Sequence, residues 1–190
     1  MKGLELIKKA FALEPVKRVP WVPFVGVHGG FLTGIDAEKY LKSSEEVVKG
    51  ISKAIEEYNP DGVPVVFDLQ IEAEILGCEL KWAPHNPPAV VTHPLADGKQ
   101  LKDLHIPTEF DGRIPEVIKA TKLLRKKYPD IALYGLITGP FTLALHLMGT
   151  DIFVKLFEDP EAVNEVMDFC TKVGKKMSEY LMEAGCDIIA

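Results

Sequence analysis

The feature that most constrains the fold of this chain is the alternation of short, almost continuously apolar segments with segments of helical periodicity. Strands that are apolar on both faces are typical of a parallel sheet covered by helices, because each crossover helix packs back onto the sheet. We therefore predict an α/β fold in which buried strands and helices alternate. The four predicted buried strands are residues 21–25, 63–67, 131–137 and 186–190.

The predicted helices have recognisable beginnings and ends. Ser43 followed by Glu46 is a capping-box pattern, and apolar residues continue after it at helical spacing to Tyr58. The segment 59–62, NPDG, is a stop-and-turn signal. The remaining predicted helices cover residues 4–13, 71–76, 115–124, 140–148, 151–157 and 160–182. The proline-rich composition of residues 83–112 predicts an irregular loop that contains one short strand at 89–91. A second short strand is predicted just before this loop, at 78–82.

Two architectures fit this order, a doubly wound open sheet and a TIM-type (β/α)8 barrel. Residues 26–31, GVHGGF, match neither common glycine-rich phosphate turn, which favours the barrel. A complete barrel takes ~250 residues, and the sequence ends at Ala190 within an apolar segment. We therefore expect residues 1–190 to be the N-terminal part, about four βα units, of a single barrel domain.

Composition excludes several classes of function. The chain of 190 residues has 22 Lys and Arg against 28 Asp and Glu, a net charge of −6, so it lacks the positive field that collects nucleic acid or anionic membranes. No segment approaches the ~18 apolar residues of a membrane span, and the N-terminus has no signal-peptide core. We therefore expect a cytoplasmic protein.

The cysteines and several histidines predict no metal site within this chain. Cys78, Cys170 and Cys186 are far apart and form no C-x-x-C pair, as expected of free thiols in a reducing compartment. The spacing of the other histidines is not typical of zinc ligands. These histidines are His85, His93 and His105.

Polar, titratable or glycine-rich residues follow three of the predicted strands. In either architecture functional groups gather at the carboxyl ends of parallel strands, so these residues predict a shared site. The candidates are His28, Gly29 and Gly30 after the first strand, Asp68 and Gln70 after the second, and Thr138, Gly139, Phe141 and the more distant His146 after the third.

Several candidates also have a structural explanation. Asp68 stands at a strand-to-helix junction, where it is a natural N-cap, and a cap can also serve a site. His28 is typical of an exposed loop histidine, although the glycines beside it would let a ligand approach the backbone. His146 lies on an apolar helix face, as a satisfied core histidine does. Glu72 is typical of a solvated helix face, but it lies one turn from Asp68 and is kept as a binding candidate.

Three segments carry a resemblance to a known family. They are Arg18-Val19-Pro20 before the first strand, residues 67–77 (FDLQIEAEILG) after the second, and residues 135–144 (GLITGPFTLA) across the third. Together they resemble the uroporphyrinogen decarboxylase superfamily. This superfamily contains uroporphyrinogen decarboxylases and related corrinoid-dependent methyltransferases, and the resemblance implies a TIM-type barrel.

The resemblance implies one of two activities. The decarboxylases carry an Arg-Gln-Ala-Gly-Arg loop after the first strand, whose arginines pair with substrate carboxylates, but residues 28–32 read HGGFL here. The catalytic aspartate of the decarboxylases matches Asp68, and their tyrosine after the third strand is matched by His146. The His-Gly-Gly loop is more similar to the methyltransferase branch, which moves a methyl group between a corrinoid and a thiol such as coenzyme M.

The methyltransferase interpretation implies roles for the candidate residues. Asp68 and His146 are then the catalytic candidates, and the other candidates line a pocket for a tetrapyrrole or for a corrinoid, either free or carried by a corrinoid protein. In this branch a zinc ion activates the thiol, and the resemblance implies that its ligands lie outside this chain. A decarboxylase of porphyrin and heme biosynthesis and a non-catalytic half-barrel module, closed by a second chain or its own copy, remain alternatives, and a homo-oligomer stays open.

Overall fold

The computed structural model describes residues 2–190, which contain nine α-helices, one 3-10 helix and five strands. The helices are α1 (Gly3–Phe11), α2 (His28–Thr33), α3 (Ala37–Leu41), α4 (Ser44–Tyr58), α5 (Ile71–Ile75), α6 (Ile114–Lys127), α7 (Pro140–Met148), α8 (Asp151–Glu158) and α9 (Pro160–Ala184). The strands are β1 (Gly62–Pro64), β2 (Leu80–Lys81), β3 (Ala89–Val90), β4 (Ala132–Gly135) and β5 (Ile188–Ile189), and the 3-10 helix is Leu101–Asp103.

A parallel three-stranded sheet lies at the centre of the fold, in the order β1-β4-β5. Val63 pairs with Leu133, and Tyr134 pairs with Ile188. The pairs β1–β4 and β4–β5 are both parallel, so the carboxyl ends of β1 and β4 lie at the same edge of the sheet, as the sequence predicts. The short strands β2 and β3 form a separate antiparallel pair, which confirms the predicted extra strands.

The apolar faces of α4, α6 and α9 pack into one core with this sheet. Ile51, Leu124 and Val173 from the three helices are fully buried with Leu133 of β4. The predicted cap of α4 is present, because the backbone N–H of Glu46 donates to Oγ of Ser43. Burial of an apolar stripe therefore fixes each helix against the sheet, as its periodicity predicts.

The predicted first strand, residues 21–25, is wrong as a strand. The segment has no ladder partner in the described part of the chain, since prolines at positions 20 and 23 remove two backbone donors. It is also not buried throughout, because Trp21 and Phe24 are 49% and 63% exposed. It is held instead by Asp61, which accepts from the N–H of Trp21 at 2.8 Å and donates its own N–H to the Trp21 carbonyl at 2.9 Å. The glycine-rich segment after it is largely helix α2, so His28 begins a helix and is not the loop histidine that its residue type suggests.

No single helix in residues 2–190 is long and apolar enough to cross a membrane. The consecutive helices α7 and α8 pass the criteria of length and composition only as a pair, and they are bent by 104°.

Helices α2 and α4 touch where each carries a glycine. A Cβ atom built on Gly50 would lie 2.6 Å from the carbonyl oxygen of Gly29 and 2.5 Å from Cε2 of Tyr40. A Cβ on Gly29 would lie 2.3 Å from the hydroxyl of Tyr40. The close packing of α2 against α4 therefore requires glycine at position 50, and the packing of α2 against Tyr40 of α3 requires glycine at position 29.

This contact predicts opposite effects of alanine at two helical glycines. Gly50→Ala should lower the free energy of unfolding by about 1–3 kcal/mol, because the new methyl group overpacks the contact. Gly174→Ala in α9 is the matched control, since its Cβ would meet only Ile137 at 3.5 Å, an ordinary contact. Gly174→Ala should raise the free energy of unfolding by up to about 1 kcal/mol through helix propensity. Urea unfolding of the full-length variants measures both, and similar effects at the two sites would contradict the packing argument.

Candidate functional site

Two turns meet at the carboxyl edge of the sheet, one after β1 and one after β4. Thr138, in the turn after β4, donates its backbone N–H to Oε1 of Glu72 at 3.0 Å. Its Oγ1 lies 2.9 Å from Oε2 of Glu72 and 2.7 Å from the carbonyl oxygen of Leu69. The hydrogen bonds of Thr138 to Glu72 and Leu69 therefore hold the two turns together, and they bring two of the predicted site residues, Thr138 and Glu72, into direct contact.

Glu72 is buried, which corrects its interpretation as a residue on a solvated helix face. Only 2% of it is exposed, because it faces Thr138 and a small cavity that Val65 and Gly135 also line. Burial raises the pKa of Glu72, and the charge of Asp68 adds to this effect, while hydrogen bonds from Thr138 oppose it. A five-residue helix gives too short a pattern to show which of its faces is covered.

Asp68 is bound on both carboxylate oxygens. Its Oδ1 accepts from the backbone N–H of Gln70 at 2.9 Å, and its Oδ2 accepts from Nη1 of Arg113 at 2.5 Å. The bond to Gln70 makes a turn before α5, while Gln70 itself occupies the N-cap position, so Asp68 is not the predicted N-cap. The structure thus places Asp68 with Gln70 at the predicted edge, and its side chain is fully buried there.

Arg113 is the residue at this edge that the sequence reasoning missed. Its Nε donates to Oε2 of Glu74 at 2.7 Å, and its guanidinium lies 5.1 Å from the ring centre of Trp82. Burial alone would lower the pKa of Arg113, but Asp68 and Glu74 raise it above its usual value. Its Nη2 is buried without a partner among residues 2–190. The only feature of the sequence that could have pointed to Arg113 is its position just before α6, a helix whose start is marked by a proline.

His28 and its glycines lie beside a separate cavity. Nε2 of His28 is 2.8 Å from the hydroxyl of Tyr58, and its ring stacks on Phe31 and Tyr58 with centroids 5.7 and 5.9 Å away. Gly29 and Gly30 are buried against Tyr40, so helix packing explains both glycines. The cavity has a volume of about 300 Å³ and is lined by Val27, His28, Phe31, Ile35, Pro84 and His85.

His146 belongs to a third group of contacts. Its backbone carbonyl accepts from Sγ of Cys78 at 3.4 Å and lies 2.8 Å from Nδ1 of His93. Its own Nε2 is buried without a partner among residues 2–190, so it is not the satisfied core histidine that the helix face suggested. Burial lowers the pKa of His146, and His93 lowers it further, so the imidazole is neutral at pH 7.

The last two candidates are accessible. Gly139 is exposed at the start of α7, with open space where a side chain would be. Phe141 in the first turn of α7 is 42% exposed, and its ring lies 6.4 Å from that of Phe153. The structure therefore divides the predicted site into the buried residues that join the two turns, His28 and its glycines at a separate cavity, His146 beside Cys78 and His93, and the accessible Gly139 and Phe141 at the start of α7.

The potential metal ligands of the described residues do not converge. No three side chains of His, Cys, Asp or Glu in residues 2–190 are placed to hold a metal ion. Burial raises the pKa of Cys78 to about 11, and it raises those of Cys170 and Cys186 to about 12. All three thiols are therefore protonated at neutral pH, and we assign none of them to a metal.

Comparison with known proteins identifies the family. The sequence model described as uroporphyrinogen decarboxylase (URO-D) matches residues 3–190. The chain belongs to the URO-D family. This confirms the resemblance that its three segments carry. Two of those segments form the turns that the hydrogen bonds between Glu72 and Thr138 hold together.

Relatives within the URO-D family are methyltransferases. The chain is 32% identical over 200 residues to "Methylcobamide:CoM methyltransferase MtbA" of Methanosarcina mazei, covering 98% of this chain and 56% of that protein. It is 30% identical over 145 residues to "Methylcobamide:CoM methyltransferase MtaA" of Methanosarcina barkeri, covering 72% of this chain and 42% of that protein. The chain thus spans about half the length of these relatives, and the predicted similarity to the methyltransferase branch is confirmed.

A solved structure supports the same assignment. The chain superimposes on "methyltransferase from Methanosarcina mazei" with a TM-score of 0.90 and 25% sequence identity, covering 100% of this chain and 58% of that one. This agreement confirms the predicted α/β fold as part of a TIM-type barrel.

The ion pair of Arg113 predicts a large effect on stability. Arg113→Gln should lower the free energy of unfolding by roughly 3–5 kcal/mol, because it leaves the carboxylate of Asp68 buried without its cation. Lys49→Gln is the control, since Lys49 is exposed and pairs with Glu46 at the surface. Its effect on the free energy of unfolding should be close to zero, because solvent screens an exposed ion pair. Urea unfolding of the full-length variants measures both.

A double variant separates the ion pair from simple packing. The double variant Asp68→Asn/Arg113→Gln should lose less free energy of unfolding than the two single variants lose when their losses are added. The reason is that the double variant removes both charges of the pair and leaves no buried charge without its partner. Strict additivity of the two effects would contradict the ion pair as the reason for the stability loss.

Proposed function

We propose that the complete protein transfers a methyl group between a corrinoid and a thiol. The observation that carries the proposal is the similarity of almost the whole chain to proteins named methylcobamide:CoM methyltransferases. The chain spans about half of those proteins, so the activity is proposed for the full-length protein. By the same similarity, we propose a methylcobamide as one substrate, free or carried by a corrinoid protein, and a small thiol as the other.

The arginines favour this proposal over porphyrinogen decarboxylation. A porphyrinogen that carries many carboxylates needs cations to bind them, and a guanidinium is well suited to this. The sequence has three arginines, and each is bound to a carboxylate of the chain itself. Arg18 binds Asp61, Arg113 binds Asp68 and Glu74, and Arg125 binds Asp187.

The candidate residues divide into two proposed roles. The buried carboxyls of Asp68 and Glu72, with Gln70 and Thr138, hold the two turns at the carboxyl edge of the sheet in place. The accessible residues are proposed to contact the substrates. These are His28, Gly139 and Phe141, with Gly29 and Gly30 setting the position of His28.

His146 remains the candidate for moving a proton. A thiol must lose its proton before its sulfur can attack a methyl group. The neutral imidazole of His146 can accept a proton, and its Nε2 is not engaged by another described residue. Asp68 stays a catalytic prediction from the family match, but its carboxylate would first have to leave Arg113, so we propose a positioning role for it.

A zinc ion is implied by the methyltransferase resemblance and would supply further activation of the thiol. The His, Cys, Asp and Glu side chains of residues 2–190 do not form a set of donors that fits it. We therefore assign no step to a metal held by these residues.

The reaction can be tested with two substrates. Full-length protein incubated with methylcobalamin and coenzyme M should consume the thiol and demethylate the corrinoid, followed by the change in corrinoid absorbance. Incubation with uroporphyrinogen should release no carbon dioxide. Carbon dioxide release without methyl transfer would overturn the proposal, and absence of both activities in a folded protein would favour the non-catalytic module.

A histidine pair tests the proton acceptor. His146→Ala should lower the rate of methyl transfer on the order of 10²-fold, the lower range for loss of a general base. His105→Ala is the control, because His105 is exposed and contacts only Asp111 among the described side chains. The rate of methyl transfer with each variant at saturating thiol is the measurement, and equal rates would remove His146 from the proposed mechanism.

A further inference from the structure

The contacts of Thr138 require one more proton than a threonine can supply. Oγ1 of Thr138 lies within hydrogen-bond distance of two oxygens, the carbonyl of Leu69 at 2.7 Å and Oε2 of Glu72 at 2.9 Å. A carbonyl oxygen only accepts, and an ionised carboxylate only accepts, whereas the threonine hydroxyl has a single proton. If Glu72 were ionised, one of these two short contacts would join oxygens with no proton between them.

A protonated Glu72 satisfies every contact. Its Oε2–H would donate to Oγ1 of Thr138, whose own proton would then go to the carbonyl of Leu69. Its Oε1 would remain free to accept the backbone N–H of Thr138, as the 3.0 Å distance requires. We infer that Glu72 is a neutral carboxylic acid at physiological pH, and that its proton completes a hydrogen-bonded chain which positions the turn after β4 against the turn after β1.

The surroundings of Glu72 favour the neutral form. The charged group that faces it is Asp68, a carboxylate of like charge, and Arg113 is committed to Asp68 and Glu74. Glu72 takes part in no ion pair within residues 2–190. Next to it is a cavity of only about 10 Å³, at the lower limit for one water molecule. The other residues lining this cavity come from α5, α6, α9, β4 and the segments that follow β1 and β4. All of them are uncharged: Val65, Val66, Ile71, Val117, Gly135, Leu136, Met177 and Leu181.

This makes Glu72 a positioning residue. The turn that it holds carries Gly139 and leads to Phe141, both accessible and both proposed to meet substrate. The inference concerns the site of the proposed methyl transfer, but it needs no turnover for its test. Its failure is therefore distinguishable from failure of the proposed reaction.

The pH dependence of stability tests the inference. A glutamate in the unfolded chain ionises near pH 4.3, while the folded state keeps its proton to higher pH. The stabilisation from a raised folded-state pKa is thus fully present below the unfolded value and is lost as pH rises through the folded one. Glu72→Gln mimics the neutral acid, because its amide can donate to Thr138 Oγ1 and accept from the Thr138 N–H, and it has nothing to ionise.

The folding equilibrium constant of full-length Glu72→Gln, divided by that of the wild type, should therefore rise by up to about tenfold per pH unit above about pH 4.5. Urea unfolding at a series of pH values measures this ratio. Glu45→Gln is the control, because Glu45 is exposed in the first turn of α4, and its ratio should stay nearly constant. A ratio for Glu72→Gln that is flat or falls with pH would overturn the inference.

A spectroscopic measurement needs no variant to fold. Infrared spectra of the wild-type protein with isotopically labelled glutamate should show the carbonyl stretch of a carboxylic acid at pH 7, separate from the carboxylate bands. Absence of that band would overturn the inference. Where Glu72→Gln folds, the band should be missing from it.

Two variants of Thr138 test the role of the hydroxyl. Thr138→Ser keeps the acceptor for the Glu72 proton and should retain the infrared band at its wild-type frequency. Thr138→Val removes the acceptor, so the band should shift to higher frequency as the acid loses its hydrogen bond. Equal spectra for the two variants would contradict the hydrogen-bonded chain.

Discussion

One buried guanidinium balances the charges at the carboxyl edge of the sheet. Arg113 is shared between Asp68 and Glu74, and its side chain is only 7% exposed. Burying a charge is costly unless it is paired and hydrogen-bonded, so this arrangement fixes the path of the chain after β1. It also leaves no cation for Glu72, which lies on helix α5 with Glu74. As a neutral acid bound to Thr138, Glu72 needs no cation, and its hydrogen bonds position the turn after β4.

The sequence was informative where burial follows a regular period. Helix α4 was predictable from its cap at Ser43 and its apolar stripe. Strands β4 and β5 lie within the predicted apolar runs, and β1 (Gly62–Pro64) overlaps the run predicted at 63–67 but begins one residue earlier and ends at Pro64. Residues 21–25 have the same apolar composition, yet the flanking and internal prolines keep them out of a ladder. Apolar composition alone therefore decides neither burial nor pairing, because Trp21 and Phe24 are 49% and 63% exposed and pairing depends on backbone donors.

The candidate site was predictable in position but not in its contacts. The rule that functional groups gather at strand ends placed Asp68, Glu72 and Thr138 at one edge, and the structure joins Glu72 to Thr138. Arg113 lies 45 residues from Asp68, and no local pattern connects the two. The burial of Glu72 escaped prediction for the same reason, because what covers a short helix is decided by distant elements. The family resemblance supplied the reaction class, which no distance in this structure could have done.

The aromatic ring beside Arg113 gives the protein a built-in optical probe. Trp82 is one of two tryptophans, and it lies under both the guanidinium of Arg113 and the ammonium of Lys42, whose Nζ is 4.6 Å from the ring centre. The other, Trp21, is 49% exposed, whereas Trp82 is half-buried, and it reports on a different segment. Cations close to an indole face alter its fluorescence. Separation of Arg113 or Lys42 from Trp82 is therefore expected to change the wavelength and intensity of the Trp82 emission, and no attached dye is needed. The electrostatics of the edge can thus be followed in solution, during ligand addition or denaturation, by ordinary ultraviolet fluorescence.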